Sequence, residues 1–174
     1  MKYEGNPVFG GPEIGTMFDA NVIPQGKAKF NMYVSWRPEK AIALTYSDDG
    51  VNWTDPVVVL RHDESSGWEQ GRVGGCEVHQ MGDGTYVLFY IGYSDIYTAR
   101  VGMAFSKDGI TGWERYEHNP IVVPVEGTWG ASACYKPTVY RDVENDMWHL
   151  WYNGRNCGPE YIGYVYHKGL DITK

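Results

Sequence analysis

Two carboxylates and a lysine stand at the heads of three apolar runs. They are Asp19 in Asp19-Ala20-Asn21-Val22, Glu77 in Gly75-Cys76-Glu77-Val78, and Lys136 in Lys136-Pro137-Thr138-Val139. A pair of carboxylates can do acid–base work when their surroundings keep one ionised and the other protonated. The two glycines before Glu77 permit close approach of another segment. Arg37 and Arg155 each follow an apolar run, in Val34-Ser35-Trp36-Arg37 and Tyr152-Asn153-Gly154-Arg155. A guanidinium there can hold a sugar, a phosphate or a carboxylate through paired N–H donors. Asp95 and Arg100 stand at the matching turn in the middle of the chain, and Glu69, Arg72 and His79 flank Glu77. His79 is read as a core or hydrogen-bonded side chain. Trp68 and Trp129 lie in connecting segments, where an indole face can stack on a sugar ring. No Ser/His/Asp order, phosphate-binding glycine loop or metal-ligand cluster stands out, and no cofactor or metal is expected.

The elements that must position these residues are strands. No stretch shows the 3.6-residue helical period, whereas 7 Trp, 14 Tyr and 22 Gly among 174 residues suit short strands joined by tight turns. The region from Cys76 to Val123 is the clearest unit. It predicts strands over Cys76–Met81, Tyr86–Gly92, Arg100–Ser106 and about Trp113–Val122, with turns at Gly82-Asp83-Gly84 and Lys107-Asp108-Gly109. In Tyr86–Gly92 both faces are apolar, so this sheet needs a cover on each side.

The unit repeats. Ser47-Asp48-Asp49-Gly50 leads to Trp53, and Ser106-Lys107-Asp108-Gly109 leads to Trp113; the serines lie 59 positions apart and the tryptophans 60. The first copy predicts strands over Phe18–Ile23, Phe30–Trp36, Ala41–Ser47 and Val57–Leu60. The third predicts Lys136–Arg141, Met147–Gly154 and Tyr161–His167, with a turn at Lys168-Gly169-Leu170 and no fourth strand. The Ser-x-Asp-Gly acids Asp48, Asp49 and Asp108 are read as turn residues, and Trp53 and Trp113 as packing. Aligning Val22 with Val78 sets Asp19 opposite Gly75, and Asn21 opposite Glu77.

The expected fold is all-β: a propeller of four-stranded blades, about three per chain, in one domain. Residues 17–63, 68–125 and 129–174 form the blades, and residues 1–10 supply an outer strand. That assignment of the N-terminus rests on Tyr3-Glu4-Gly5-Asn6-Pro7-Val8-Phe9, which matches Tyr116-Glu117-His118-Asn119-Pro120-Ile121-Val122. Three blades do not close a ring, since propellers use about 4–8. The expectation is therefore a homodimer forming one ring of about six blades, with each N-terminal strand completing or adjoining its partner's last blade.

The net charge of −7 and the lack of a basic run argue against nucleic acid and anionic membrane surfaces. No apolar run reaches the ~20 residues of a membrane span. No signal peptide is visible, which points to a cytoplasmic protein. Cys76, Cys134 and Cys157 match no zinc pattern and are read as free or buried thiols.

Taken together, these motifs resemble the β-fructosidase-like propellers: glycoside hydrolase families 43, 32 and 68, and the family 130 hydrolases and phosphorylases. The matching residues are Asn6-Pro7-Val8 followed by Phe18-Asp19-Ala20-Asn21-Val22-Ile23, the two Ser-x-Asp-Gly turns with their tryptophans, Lys136-Pro137-Thr138-Val139, and Trp148-His149-Leu150-Trp151-Tyr152-Asn153-Gly154. The chain departs from the usual five blades of these families. The resemblance implies a carbohydrate-active enzyme, a glycoside hydrolase or phosphorylase that cleaves a glycosidic bond with inversion. It implies Asp19 as base and Glu77 as acid, with a saccharide held by Arg37, Trp68, Arg72, Asp95, Arg100, Trp129, Lys136 and Arg155. Those families place a third acid where this chain has Lys136, so a non-catalytic carbohydrate-binding propeller is the alternative.

Overall fold

The computed structural model describes residues 1–26, 29–169 and 171–172, and among these it contains strands and turns but no helix. The strands are β1 (Met17–Pro24), β2 (Phe30–Trp36), β3 (Ala41–Ser47), β4 (Val57–Arg61), β5 (Arg72–Gln80), β6 (Tyr86–Tyr93), β7 (Ala99–Ser106), β8 (Glu114–Arg115), β9 (Ala133–Asp142), β10 (Met147–Arg155) and β11 (Glu160–Lys168). Strands β1 to β4 form one up-and-down sheet. The second sheet runs β11-β10-β9-β7-β6-β5, with β8 alongside β7. Its two halves meet through a single parallel pairing, Ala99 with Ala133. The chain therefore makes three successive antiparallel meanders, β1–β4, β5–β8 and β9–β11.

The central strand β6 shows why they stack. Tyr86 to Gly92 is buried throughout, as a strand apolar on both faces requires. Leu88 and Tyr90 pack with Tyr33, Ile42 and Leu44 of the first meander. Val87 and Phe89 pack with Val139, Trp148 and Leu150 of the third. Truncating a buried ring such as Phe89 would cost about 3–5 kcal/mol.

The repeated turns are held by local hydrogen bonds. Ser47 Oγ accepts from Gly50 N–H at 2.8 Å, and Asp49 Oδ1 accepts from Val51 and Asn52 at 2.8 and 2.7 Å. Ser106 Oγ accepts from Gly109 at 3.0 Å, and Asp108 Oδ1 from Ile110 and Thr111, both at 2.7 Å. Trp53 packs against Met32, Val34 and Ala43, and Trp113 packs edge-on to Tyr33. Asp48 is exposed at the same turn.

The predicted strand boundaries move furthest at β5, β8 and β9. Strand β5 starts at Arg72 and β9 at Ala133, each ahead of the Cys76 and Lys136 read from sequence, because both strands cross a bulge near their starts. The predicted strand over Trp113–Val122 reduces to Glu114–Arg115 plus one pairing of Val122 with Val101. Pro120 has no N–H to give, and the Asn119 side chain stands in for backbone, accepting from Met103 N–H at 2.8 Å and donating to Met103 O at 2.7 Å. Within residues 1–10, expected as an outer strand completing a last blade, residues 1–8 are exposed and pair with none of the described strands. Of the predicted turn after β11, Lys168 belongs to the strand, Gly169 N–H donates to Asp146 O at 2.7 Å, and Leu170 lies outside the described residues.

No helix among the described residues is long and apolar enough to cross a membrane. Cys76 and Cys134 are buried free thiols, and burial pushes them up to about 12 and about 11 respectively.

Candidate functional site

The innermost strand of each meander carries a bulge at the same place. Register shifts fall between Phe18 and Asn21, between Gly74 and Glu77, and opposite Trp151 and Asn153, where Lys136 and Pro137 are skipped. Aligned on these bulges, Asp19, Gly75 and Lys136 occupy one position, and Asn21, Glu77 and Thr138 another. All three residues of the first set are left-handed, at φ 54, 56 and 50°. Glycine adopts this conformation freely, whereas Asp and Lys do so at a cost of about 1 kcal/mol. A Cβ on Gly75 would overlap the Ile91 side chain, so the middle repeat has no room for an acid there.

The three bulges converge. Asp19, Ala20, Asn21, Gly75, Cys76, Glu77, Lys136, Pro137 and Thr138 line one pocket of about 270 Å³. Asp19 is exposed. Its Oδ2 accepts from Ser35 Oγ at 3.4 Å, and the same buried hydroxyl accepts from Gly75 N–H at 2.6 Å. Ser35 thus ties the first carboxylate to the second bulge. Glu77 has more partners. Its Oε2 accepts from Val139 N–H at 3.0 Å, and its Oε1 lies 3.1 Å from His79 Nε2. The His79 ring stands edge-on to Phe89 and Trp148, which makes it the hydrogen-bonded core histidine expected.

A second, wider hollow of about 680 Å³ opens at the hairpin ends of the first two meanders and includes Phe18, Arg37, Lys40, Arg72, Tyr93 and Asp95. The Arg72 guanidinium sits 3.9 Å above the centre of the Tyr93 ring. Burial raises the Tyr93 hydroxyl above its usual range, while Arg72 and Arg155 draw it down and Asp19 pushes it up. Asp95 Oδ1 accepts from Tyr97 and Thr98 N–H at 2.7 and 2.8 Å, and these bonds hold its carboxyl below the usual range. Arg155 donates to Ile96 and Tyr97 carbonyls, both at 3.4 Å, and lies 5.2 Å from the Tyr135 ring centre, with Lys136 Nζ at 5.6 Å.

Glu160, missed by the sequence reading, completes this rim. It is bonded to the Tyr135 hydroxyl and accepts from Asn153 Nδ2 at 2.8 Å. These bonds, aided by Lys136 and Arg155, hold its carboxyl low. Burial, with help from Glu160, pushes Tyr135 up to about 12. The signal for Glu160 was weak, since an acid opening an outer strand is usually a solvated residue.

Three more of the expected contacts line neither hollow. Trp68 packs against Tyr90, Gly92 and Gly102, and Trp129 makes the same contacts one repeat later with Tyr152, Gly154 and Gly163. Both indoles fill space left by glycines, Trp68 half-buried and Trp129 still 41% exposed. Arg100 Nη1 is buried with no hydrogen-bond partner among the described residues. No group of three or more His, Cys, Asp or Glu among the described residues could hold a metal ion.

No protein-family model and no curated protein matches the sequence at a significant level. Solved structures do match. A family 117 glycoside hydrolase of Zobellia galactanivorans aligns over 94% of this chain and 55% of its own, at 16% identity and a TM-score of 0.70. The β-1,2-mannobiose phosphorylase of Listeria innocua aligns over 90% and 42%, at 15% identity and 0.66. An α-L-arabinofuranosidase of Podospora anserina aligns over 88% and 54%, at 15% identity and 0.65. The chain spans about half the length of these structures. At such identities the likeness is one of fold alone, an all-β propeller architecture.

Proposed function

We propose that the chain is a carbohydrate-active enzyme whose three meanders act as propeller blades and whose inner-strand bulges bind and cleave a glycosidic bond. The observation that carries this reading is the meeting of Asp19, Glu77 and Lys136 in one pocket from three equivalent bulges. Asp19, exposed and oriented by Ser35, is the base that takes a proton from the attacking water. Glu77 delivers a proton to the leaving oxygen. Inversion needs the two groups about 6.5–9.5 Å apart, with water between. Arg37, Arg72, Arg155 and Lys136 hold hydroxyls, or a uronate or phosphate, at the hairpin ends of the strands. Proteins of this architecture include a hydrolase and a phosphorylase, so either water or phosphate serves as acceptor.

One observation favours a second reading, a saccharide-binding propeller without turnover. Both Glu77 oxygens already hold partners, one of them a backbone N–H of the neighbouring meander. The deciding experiment is product release from a panel of aryl glycosides and oligosaccharides, with and without phosphate, by wild type, Asp19→Asn and Glu77→Gln. Turnover lost in both variants supports the enzyme. Binding without turnover in wild type supports the second reading.

A further inference from the structure

The wider hollow, between the first two meanders, gathers positive charge that the fold leaves unpaired. Arg37 and Lys40 reach it from the β2–β3 hairpin, and Arg72 from the start of β5. No ion pair or side-chain hydrogen bond joins any of the three to another described residue. The nearby acids are engaged elsewhere. Glu39, on the same hairpin, pairs with Arg61 at 2.9 Å. Asp95 lines the hollow as well, but its Oδ1 is taken by the Tyr97 and Thr98 N–H groups of its own loop. Three cations therefore share the hollow with one carboxylate, in a chain whose net charge is −7. Like charges gathered in a concave site repel one another and focus a positive potential that draws in an anion.

The backbone holds these cations in place. Lys40 is left-handed, at φ 53°, a conformation that costs a side-chain-bearing residue about 1 kcal/mol. Its N–H donates to Arg37 O and its carbonyl accepts from Val73 N–H, both at 3.1 Å. The second bond fastens the β2–β3 hairpin to β5 one residue beyond Arg72. Arg72 pairs with Tyr93 across the strands and lies flat over its ring, at 3.9 Å from the centre. Gly71 N–H donates to Tyr93 O at 2.8 Å, and a Cβ on Gly71 would overlap the Tyr93 and Ser94 carbonyls. A guanidinium stacked by its face keeps its in-plane N–H donors for a ligand. Phe18 and Ile96 add an apolar wall to the same hollow.

We infer that this hollow is a subsite for an acidic sugar. The carboxylate of a uronosyl residue sits among Arg37, Lys40 and Arg72, and its ring lies against Phe18 and Ile96. A planar carboxylate matches the paired donors of a guanidinium. A sugar ring also covers the apolar wall that a free phosphate would leave bare. Phe18 in this hollow and Asp19 in the bulge pocket are consecutive residues, which sets the acidic sugar beside the carboxylates proposed for the chemistry. The inference rests on the saccharide reading of the site and narrows it to glycans that carry a uronate.

NMR titration of the 174-residue chain tests this. Methyl glucuronide and methyl galacturonide are expected to bind at least ~tenfold more tightly than methyl glucoside and methyl galactoside. Esterifying the carboxylate is expected to abolish that preference, and raising the salt concentration to shrink it. Arg37→Gln and Lys40→Gln, both at exposed positions, and Arg72→Met are each expected to lower the ratio of uronide to neutral affinity about two- to fivefold. Loss of a merely structural contact would weaken both sugars alike. A uronide no tighter than its neutral counterpart overturns the inference, and so does a preference that all three variants keep. Inorganic phosphate that shifts the Lys40 and Arg72 signals while uronides do not also overturns it. Neutral glycosides bound or turned over with no uronide preference overturn this inference alone. A uronide preference without turnover of any glycoside supports it and overturns the enzymatic reading, whereas no saccharide bound at all overturns both.

Discussion

Asn21 and Glu77 make the same bond one repeat apart. Asn21 Oδ1 accepts the Val78 N–H at 3.1 Å, and Glu77 Oε2 accepts the Val139 N–H at 3.0 Å. Each side chain ties its own inner strand to the next meander's. An amide suffices for that in the first repeat, so the acid in the second repeat has a structural task that Gln can also perform. The Glu77→Gln variant should keep its stability within about 0.5 kcal/mol of wild type, while Glu77→Ala, which leaves the Val139 N–H unpaired, should lose about 1–3 kcal/mol. Urea denaturation reads both. Loss of turnover in the stable Gln variant would assign Glu77 to the chemistry; retained turnover would leave it a strand tie.

Lys136 pays a conformational cost that Gly75 avoids at the matching position. Lys136→Gly should therefore raise stability by up to about 1 kcal/mol and weaken saccharide binding. Calorimetry with the ligand found in the panel checks the second half. A variant that is both more stable and equally tight would show that the lysine has no part in the site.

Trp68 is set against Tyr90, Gly92 and Gly102. Its replacement by Ala should cost about 3–5 kcal/mol of folding stability through the cavity left behind. At temperatures where the variant is folded, its saccharide affinity should match wild type. A large drop in affinity at full stability would restore the sugar-platform reading.

The turn carboxyls set the acid limit of the fold. Backbone and side-chain hydrogen bonds hold Asp49 and Asp108 well below the usual carboxylate range, and Asp83 and Asp142 below it too. A depressed folded-state value means the stabilisation is complete above the unfolded value near ~4 and is lost as pH falls through the folded one. The denaturation midpoint should thus be flat from neutral pH down to about 5 and fall steeply below about 4. Asp49→Asn with Asp108→Asn should flatten that fall, as urea midpoints at pH 7 and pH 3 would show.

Arg115 is the ion partner of the fully buried Glu69, which also accepts from the Tyr90 hydroxyl at 2.8 Å. Arg115→Met leaves a buried charge unpaired and should destabilise by about 3–5 kcal/mol. Adding Glu69→Gln should recover much of the loss, and chemical denaturation of the single and double variants tests the coupling.

The sequence by itself determined the repeat. Period-2 patterning with apolar residues on both faces makes β6 a covered strand wherever it lies. Ser-x-Asp-Gly closes a turn through bonds within a few residues, so its role is local and legible. The same local logic aligned Asp19 with Gly75 and Asn21 with Glu77. Tertiary structure decided what local patterning cannot express. A left-handed bulge is invisible when Lys and Asp occupy it, so the backbone device that holds Asp19, Glu77 and Lys136 in one pocket became visible only in three dimensions. Trp68 and Trp129 look like loop aromatics in the chain, but Gly92 and Gly154 lie well over twenty residues downstream and make room for them. Tyr93 stands beside Arg72, and Tyr135 and Glu160 beside Lys136 and Arg155, through antiparallel pairing within one meander, a register that no motif along the chain marks.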